Sequence, residues 1–414
     1  MYQVFLLDRL VGRLVPRGDG VQFTYDAGAL ADNELPGISI SMPKREERYG
    51  GKVAKAFFLN LLPEGAYKRL VAAAAGTAEG NDSALLGAIG GECPGAIAIW
   101  PDSVAYPGAE SYEPFGPGDF ARLFDATNPM ALASATRRAR LSLAGVQEKT
   151  ALFRDDDGAW FRPVNGALTS HILKQAPAPF PGLLENELFC MRLASEAGLD
   201  AASVGLPLPD VRVFCTERFD RVRTGTRGVP RTKVHQEDFC QILGVLPTKK
   251  YEDEGGPGLK ACALVIHAHS ALPIDDIPRL LRWVAFDYLV GNEDAHAKNL
   301  AMLYTPAGLR LAPHYDIVST TVYPELERQS AMKVGRAPDL RNVQGSDWRR
   351  VADIVQLSWP VARTELQRVA DRVATALKGV TDRCVSEFGP STLYGSIGAL
   401  AQERATRLAR ATVR

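Results

Sequence analysis

Neither charge is in excess in this sequence: 48 Lys and Arg balance 48 Asp and Glu. No global field therefore draws the chain to nucleic acid or to an anionic membrane. Cysteine is sparse, 6 in 414 residues, and the six are scattered with no Cys-x-x-Cys pair. That leaves no disulfide framework and no structural zinc set, and the cysteines read as reduced core residues. Histidine is equally sparse, and His267 and His269, two apart, would diverge on a helix. No run of 18 uncharged apolar residues occurs, so no membrane-spanning helix is expected. The opening residues carry charge by Asp8 and have no basic region ahead of their short apolar run, a poor secretory signal. What is present, 46% hydrophobic and 23% charged residues, describes a globular protein, with the cytoplasm as the expected address. Its length exceeds one ordinary core and calls for two or three domains.

Patterning supplies the elements. Val4, Leu6, Leu10 and Val11 have strand character, Val21 to Tyr25 alternate, and Val53 to Leu62 are apolar at helical spacing. Asp82 opens a helix, and a glycine-rich turn leads into the strand at Ala96 to Trp100. Residues 101 to 118, rich in proline and glycine, read as a linker or surface loop. A hairpin follows through Thr150 to Phe153 and Trp160 to Val164, then a short strand ending at Lys174 and prolines 177, 179 and 181 that break the chain. Glu185 opens a helix, Val211 to Thr216 form a strand, and a basic segment covers Arg223 to Arg231. From His235 onward the pattern is mostly helical, with starts near Gln236 and Leu264. Leu280 to Val290 form a buried helix that ends at Gly291. Leu300 to Tyr304 and Leu309 to Ala312 form a hairpin, and Leu366, Val369, Val373 and Leu377 mark an amphipathic helix.

The helix ending at Gly291 presents Asp294-Ala-His-Ala-Lys-Asn299, in which an Asp precedes an Asn by five positions. Phosphotransferases use that spacing when the Asp takes a hydroxyl proton and the Asn holds magnesium. A helix cap or turn would use the same residues. Asp316 supplies a second acid, and His314 before it is read as its support. Lys174, with Glu187 on the next helix as ion-pair partner, can neutralise nucleotide phosphates, or simply face solvent. Ala144 to Lys149 contains one glycine, Gly145, and is no Walker motif. It fits either a phosphate loop or a plain turn. Thr216 to Phe219 would join two lobes, where main-chain groups can read adenine. His296 is read as a histidine hydrogen-bonded to backbone to hold its loop, and Ser142 as an ordinary polar turn or a phosphorylation site.

These residues belong to longer motifs: Ser142-Leu-Ala-Gly-Val-Gln-Glu-Lys-Thr-Ala-Leu152, Thr169-Ser-His-Ile-Leu-Lys174, Glu217-Arg-Phe-Asp-Arg221, Gln236-Glu-Asp-Phe-Cys-Gln241, Tyr251-Glu-Asp-Glu-Gly-Gly-Pro-Gly258, Asp294-Ala-His-Ala-Lys-Asn299 and Tyr315-Asp-Ile-Val-Ser319. Together, in order over about residues 140 to 320, they resemble the HipA family of bacterial serine/threonine kinase toxins. The resemblance implies that Ala144, Gly145, Val146, Gln147, Glu148 and Lys149 wrap ATP phosphates and that Lys174 contacts them. It places Glu217, Arg218 and Phe219 at the adenine hinge. Asp294 becomes the catalytic base, Asn299 and Asp316 the Mg2+ ligands, and His296, Lys298 and Tyr315 neighbours of the nucleotide. Ser142 matches the autophosphorylated serine, whose modification ejects the loop and stops ATP binding. Family knowledge further implies a HipB-type helix-turn-helix antitoxin, operator DNA reached mainly through it, and an aminoacyl-tRNA synthetase as target. Asn292-Glu293 depart from some members, which bears on substrate choice, and Arg137-Arg138-Ala139-Arg140 is read as a solvated basic face.

The expectation is an α+β, two-lobed protein-kinase-like fold of HipA type, with a β-rich N-terminal subdomain and a mainly helical C-terminal lobe. Its parts are residues 1–105, the remainder of the nucleotide lobe at 106–220, and the catalytic lobe at 221–414. Two other readings stay open: a small-molecule phosphotransferase, and a catalytically silent module binding antitoxin and DNA.

Overall fold

Alternating apolar side chains fold the first hundred residues onto a sheet. Strands β1 (Tyr2–Leu6), β2 (Arg9–Arg17), β3 (Gly20–Tyr25) and β4 (Ile97–Pro101) pair antiparallel in the order β3-β2-β1-β4. A Cβ on Gly12 would lie 2.3 Å from Thr24 O, so only glycine lets these strands close over Phe23. Four helices follow β3 in the chain: α1 (Ala27–Ala31), α2 (Gly51–Leu59), α3 (Gly65–Ala75) and α4 (Asp82–Ile89). Phe57 and Phe58 of α2 join Val4, Leu14 and Phe23 in one core. Each such side chain contributes roughly 1.5–3 kcal/mol on burial. Asn81 rather than Asp82 caps α4, accepting from the Ala84 N–H at 3.1 Å.

A second sheet is built from β5 (Ser111–Pro114), β6 (Lys149–Arg154), β7 (Trp160–Val164) and β8 (His171–Lys174), with α5 (Pro117–Leu123) and α6 (Met130–Ala139) in the connections. Its antiparallel order is β5-β7-β6-β8 followed by the strand Phe214–Glu217. β5 lies inside the stretch expected to be a loop; four residues are too few to show a period, and pairing with β7 makes the strand. Val211 to Val213, expected in a strand, precede the ladder. The expected basic segment Arg223 to Arg231 and prolines 177 and 179 lie outside the described residues, which are 1–18, 20–107, 111–125, 127–175, 180–208, 211–222 and 232–413 of this computed structural model.

The chain continues through α7 (Leu183–Glu196), α8 (Phe239–Ile242), α9 (Leu259–His269), α10 (Pro273–Val290), a hairpin of Ala301–Thr305 with Gly308–Leu311, α11 (Gly345–Ile354), α12 (Trp359–Phe388) and α13 (Thr392–Val413). Gln236–Asp238 are extended, not helical as expected, because α8 starts later at a capping box of Asp238 and Gln241. α10 has Pro273 and two aspartates in its first turn, then buries Leu281, Val284, Tyr288 and Leu289, the face anticipated from sequence. α12 packs on α7, α10 and α13. Contacts divide the chain into two units, Met1–Gln175 with Leu206–Thr248, and Ala176–Gly205 with Lys249–Arg414. All six cysteines are buried, and none of them is in a disulfide. No described helix is long and apolar enough to cross a membrane.

Candidate active site

In the second unit the site grows from the end of α10. Gly291, at φ +78°, closes the helix in the left-handed conformation, and a Cβ there would lie 2.6 Å from Thr321 Oγ1. The carbonyl of Asp287 accepts from the N–H groups of Gly291 and Asn292 at 3.0 and 2.9 Å. Asn292 Nδ2 donates to Asp287 Oδ1 at 2.8 Å, and Asn292 Oδ1 accepts from the Asp294 N–H at 3.1 Å. Burial pushes the Asp287 carboxyl well above its ordinary range, and the hydrogen bond from Asn292 opposes that rise.

Within the loop, the His296 N–H donates to Asn299 Oδ1 at 3.1 Å, and Asn299 Nδ2 donates to Asp316 Oδ2 at 3.2 Å. Asp316 stands at φ +60°, a strained conformation for a non-glycine residue. Its neighbours are fixed on both sides. Tyr315 donates its hydroxyl to Lys298 O at 2.7 Å, and Asn186 of α7 clamps Ser319, donating to its carbonyl at 2.9 Å and accepting from its N–H at 2.8 Å. His314 supports the segment through its main chain, bonded to Asp200 and Ala202. Burial holds the His296 imidazole below its ordinary pKa, and its Nε2 lies 4.0 Å from Asp294 Oδ1. The loop is braced by the His296 main-chain N–H and not by the imidazole-to-backbone bond expected from the sequence. Asp294 is the half-exposed member, and Tyr251 donates its hydroxyl to Asp294 Oδ1 at 2.9 Å.

In the first unit, Gly145 has φ +105°, and Lys149 Nζ would sit 2.7 Å from a Cβ placed there. Lys149 instead donates to Ala144 O at 2.8 Å, while Glu64 N–H donates to Gly145 O at 2.9 Å. Gln147 Nε2 donates to Gln175 O at 3.1 Å, the Val146 side chain is exposed, and burial raises the Glu148 carboxyl. Lys149 on β6 stands directly opposite Lys174 on β8, so two buried lysines share one register position. Lys174 Nζ lies 5.3 Å from the Phe214 ring centroid. Ser142 is fully buried, its hydroxyl donating to Leu61 O at 2.7 Å.

Glu217 pairs with His171 at the end of its strand, and Phe219 is half-buried beyond it. Arg218 is different. Its guanidinium is buried on Glu92 at 2.9 Å and Asp220 at 2.7 Å, so its side chain is unavailable to a ligand, and its N–H donates to Ser170 O at 2.9 Å. Arg221 joins the same cluster at 2.6 Å from Glu92. The Glu92 backbone pairs with Leu141, its carbonyl accepting from the Ser142 N–H at 2.9 Å. Glu92, Asn186 and Tyr251 carry these arrangements, and sequence reasoning gave none of them a role. Tyr251 stands inside one of the family-like motifs and Asn186 beside the expected helix start, and those positions were their only signal.

Asp294, His296, Lys298, Asn299, Tyr315 and Asp316 thus gather in the second unit, and Ala144 to Lys149, Lys174 and Glu217 to Phe219 belong to the first. Glu187, the expected partner of Lys174, is buried on α7 in the second unit. The amide oxygen of Asn299 and the carboxylate of Asp316 are hard donors that fit Mg2+, an ion that otherwise keeps waters and phosphate oxygens. A carboxylate beside a magnesium-type donor pair in the second unit, and two facing lysines in the first, are groups of the kinds that phosphoryl transfer uses.

Comparison with known proteins gives the same direction. Residues 2–100 match the family model of the HipA N-terminal domain, and residues 141–379 that of the HipA-like C-terminal domain. The chain is 37% identical over 381 residues to the Sinorhizobium fredii putative kinase Y4mE, covering 90% of each chain. It is 32% identical to the serine/threonine-protein kinase toxin HipA of Shewanella oneidensis, covering 78% of this chain and 76% of that one. A solved structure of Shewanella oneidensis HipA with HipB and operator DNA superposes with a TM-score of 0.82 at 26% identity, covering 98% of this chain and 97% of that one. The expected α+β, kinase-like architecture is the one observed, and the chain belongs to the HipA family of kinases.

Proposed function

We propose that this chain is an ATP-dependent serine/threonine protein kinase acting as the toxin of a type II toxin–antitoxin pair. The observation carrying the reading is the contact of Asn299 Nδ2 with Asp316 Oδ2 at 3.2 Å, in the loop that also presents Asp294. Asp294 takes the proton of the acceptor hydroxyl. Asn299 and Asp316 hold Mg2+, which when bound neutralises charge on the transferring phosphoryl group. Lys174 and Ala144 to Lys149 bind the ATP phosphates, His296, Lys298 and Tyr315 border them, and the main chain of Glu217 to Phe219 reads adenine. The proposed domains are the N-terminal subdomain at residues 1–105, the remainder of the nucleotide lobe at 106–220 and the helical catalytic lobe at 221–414.

The likeness to Shewanella HipA, solved together with HipB and operator DNA, supports a HipB-type antitoxin as partner, with operator DNA engaged in that assembly. Six buried cysteines outside any disulfide support action in the cytoplasm. The target is a translation protein of the aminoacyl-tRNA synthetase kind, and Ser142 is the autophosphorylated residue. The test is expression in a bacterial host with phosphoproteomics. Growth arrest with a new phosphosite on a translation protein, absent with Asp294→Asn, is the expected result. Arrest that persists with Asp294→Asn would instead favour a silent binding module, and phosphate appearing only on metabolites a small-molecule phosphotransferase.

A further inference from the structure

The stretch Tyr251-Glu-Asp-Glu-Gly-Gly-Pro-Gly258 has no part in the chemistry above, yet its backbone is wrapped around the first of its residues. Glu252–Glu254 form a 3-10 turn, and the N–H groups of Glu254 and Gly256 both donate to Tyr251 O, at 3.2 and 2.8 Å. A Cβ on Gly256 would lie 2.4 Å from Lys249 O and 2.6 Å from Tyr251 O, so only glycine lets the chain return so closely. A Cβ on Gly258 would meet the Glu252 carboxyl carbon at 2.8 Å. That carboxylate accepts from the Lys333 N–H at 2.8 Å, while the Glu252 N–H donates to Ala331 O at 2.9 Å. Ala331 N–H in turn donates to the carbonyl of Glu293, the residue before Asp294, at 2.7 Å. The turn and the catalytic loop are therefore fastened to the same strip of chain, with the Tyr251 hydroxyl closing the ring on Asp294 Oδ1 at 2.9 Å.

Asp294 needs such a partner. Its side chain is 49% exposed while Glu293 and His296 beside it are buried, and an exposed carboxylate samples several rotamers. Tyr251 does not share that freedom. Its ring meets the His296 imidazole edge-on at 5.7 Å, and Lys250 Nζ lies 5.4 Å from its centroid.

We propose that Tyr251 is a positioning residue for phosphoryl transfer: its phenol holds Oδ1 of Asp294, leaving Oδ2 to receive the proton of the acceptor hydroxyl. As the acceptor oxygen bonds to phosphorus, the bond to ADP breaks, its electron pair leaves on ADP, and the proton passes to Oδ2. The inference rests on Asp294 being the base. It makes the glycine-rich motif a device for aiming one tyrosine.

Tyr251→Phe tests it, because the ring and its packing stay and only the donor goes. With the full chain, Mg2+ and ATP, kcat for phosphorylation of the protein itself or of a casein-type acceptor should fall about tenfold. KM for ATP should stay within about twofold, since the ring and its contact with His296 stay and only the hydrogen bond to the base is lost. In an Asp294→Asn background the same change should have no further effect. Gly256→Ala, which displaces the turn, should repeat the kcat loss at unchanged KM for ATP. An unchanged or raised kcat, a loss carried in KM for ATP, or a full additional loss in the Asp294→Asn background overturns the proposal. If Asp294→Asn itself keeps full activity, the base assignment has failed; if it is inactive while Tyr251→Phe is fully active, only the role of Tyr251 has failed.

Discussion

Asn299 donates its side-chain amide to Asp316 across 3.2 Å, joining the end of the Asp294 loop to an aspartate held at φ +60°. A left-handed aspartate costs of order 1–3 kcal/mol, and here Tyr315 and the Asn186–Ser319 clamp hold it on either side. Asp316→Ala should therefore weaken binding of ATP with Mg2+ by at least about tenfold, and much less in the presence of EDTA. Calorimetric titration with and without the metal measures this, and equal affinities for wild type and variant would remove Asp316 from the metal site.

Ser142 has no room for a phosphoryl group where it stands: it is fully buried and its hydroxyl is bonded to Leu61 O. Ser142→Ala should keep ATP binding within about threefold, losing one neutral hydrogen bond. Ser142→Asp, which forces a charge into that site, should displace the segment and lose ATP binding by about a hundredfold or more. Nucleotide titration of both variants decides. Normal binding by Ser142→Asp would mean that charge at Ser142 does not control the site.

The cluster of Glu92 with Arg218 and Arg221 is almost wholly buried, with the carboxylate side chain 1% exposed. Removing one partner leaves buried guanidinium charge uncompensated. Glu92→Gln should therefore cost about 3–5 kcal/mol in the first unit. Hydrogen exchange over residues 90–100 and 214–222 reads it locally, and protection equal to wild type would show that the cluster contributes little.

His235 is fully buried, accepting at Nδ1 from the Ala96 N–H at 3.4 Å with its Nε2 2.9 Å from Ile38 O. Burial pulls its pKa down from 6.5 to about 4. The unfolded chain thus binds a proton that the folded chain refuses, so stability is full above pH 6.5 and declines as pH falls toward 4. The slope is about 1.4 kcal/mol per pH unit for that one histidine. His235→Gln should flatten the fall in melting temperature between pH 6.5 and pH 4 that hydrogen exchange assigns to the first unit. An unchanged slope would place the acid sensitivity elsewhere.

Local elements set by short spacing were legible in the sequence. Asp294 and Asn299 are five apart on one loop, and the helix that presents them has a full apolar face ending at a glycine. Long-range partners were not. Tyr251 lies 43 residues from Asp294, and Arg218 lies 126 from Glu92, separations that leave no period to read. Arg218 shows the consequence: its motif was visible, but only the fold reveals that its charge is buried and that its side chain is unavailable to a ligand. α13 escaped for another reason. Its buried stripe is Tyr394, Ile397, Ala401, Ala405 and Leu408, and the two alanines give little hydrophobic contrast.

On the proposed reading, Asp294 makes this chain a phosphotransferase. The most direct test incubates purified wild type and Asp294→Asn with ATP and Mg2+ and follows intact mass and ATP affinity together. Wild type should gain the mass of one phosphoryl group, localised to Ser142, while Asp294→Asn binds ATP nearly as well and gains the mass at least about a thousandfold more slowly. Equal phosphorylation by the two proteins would contradict the account.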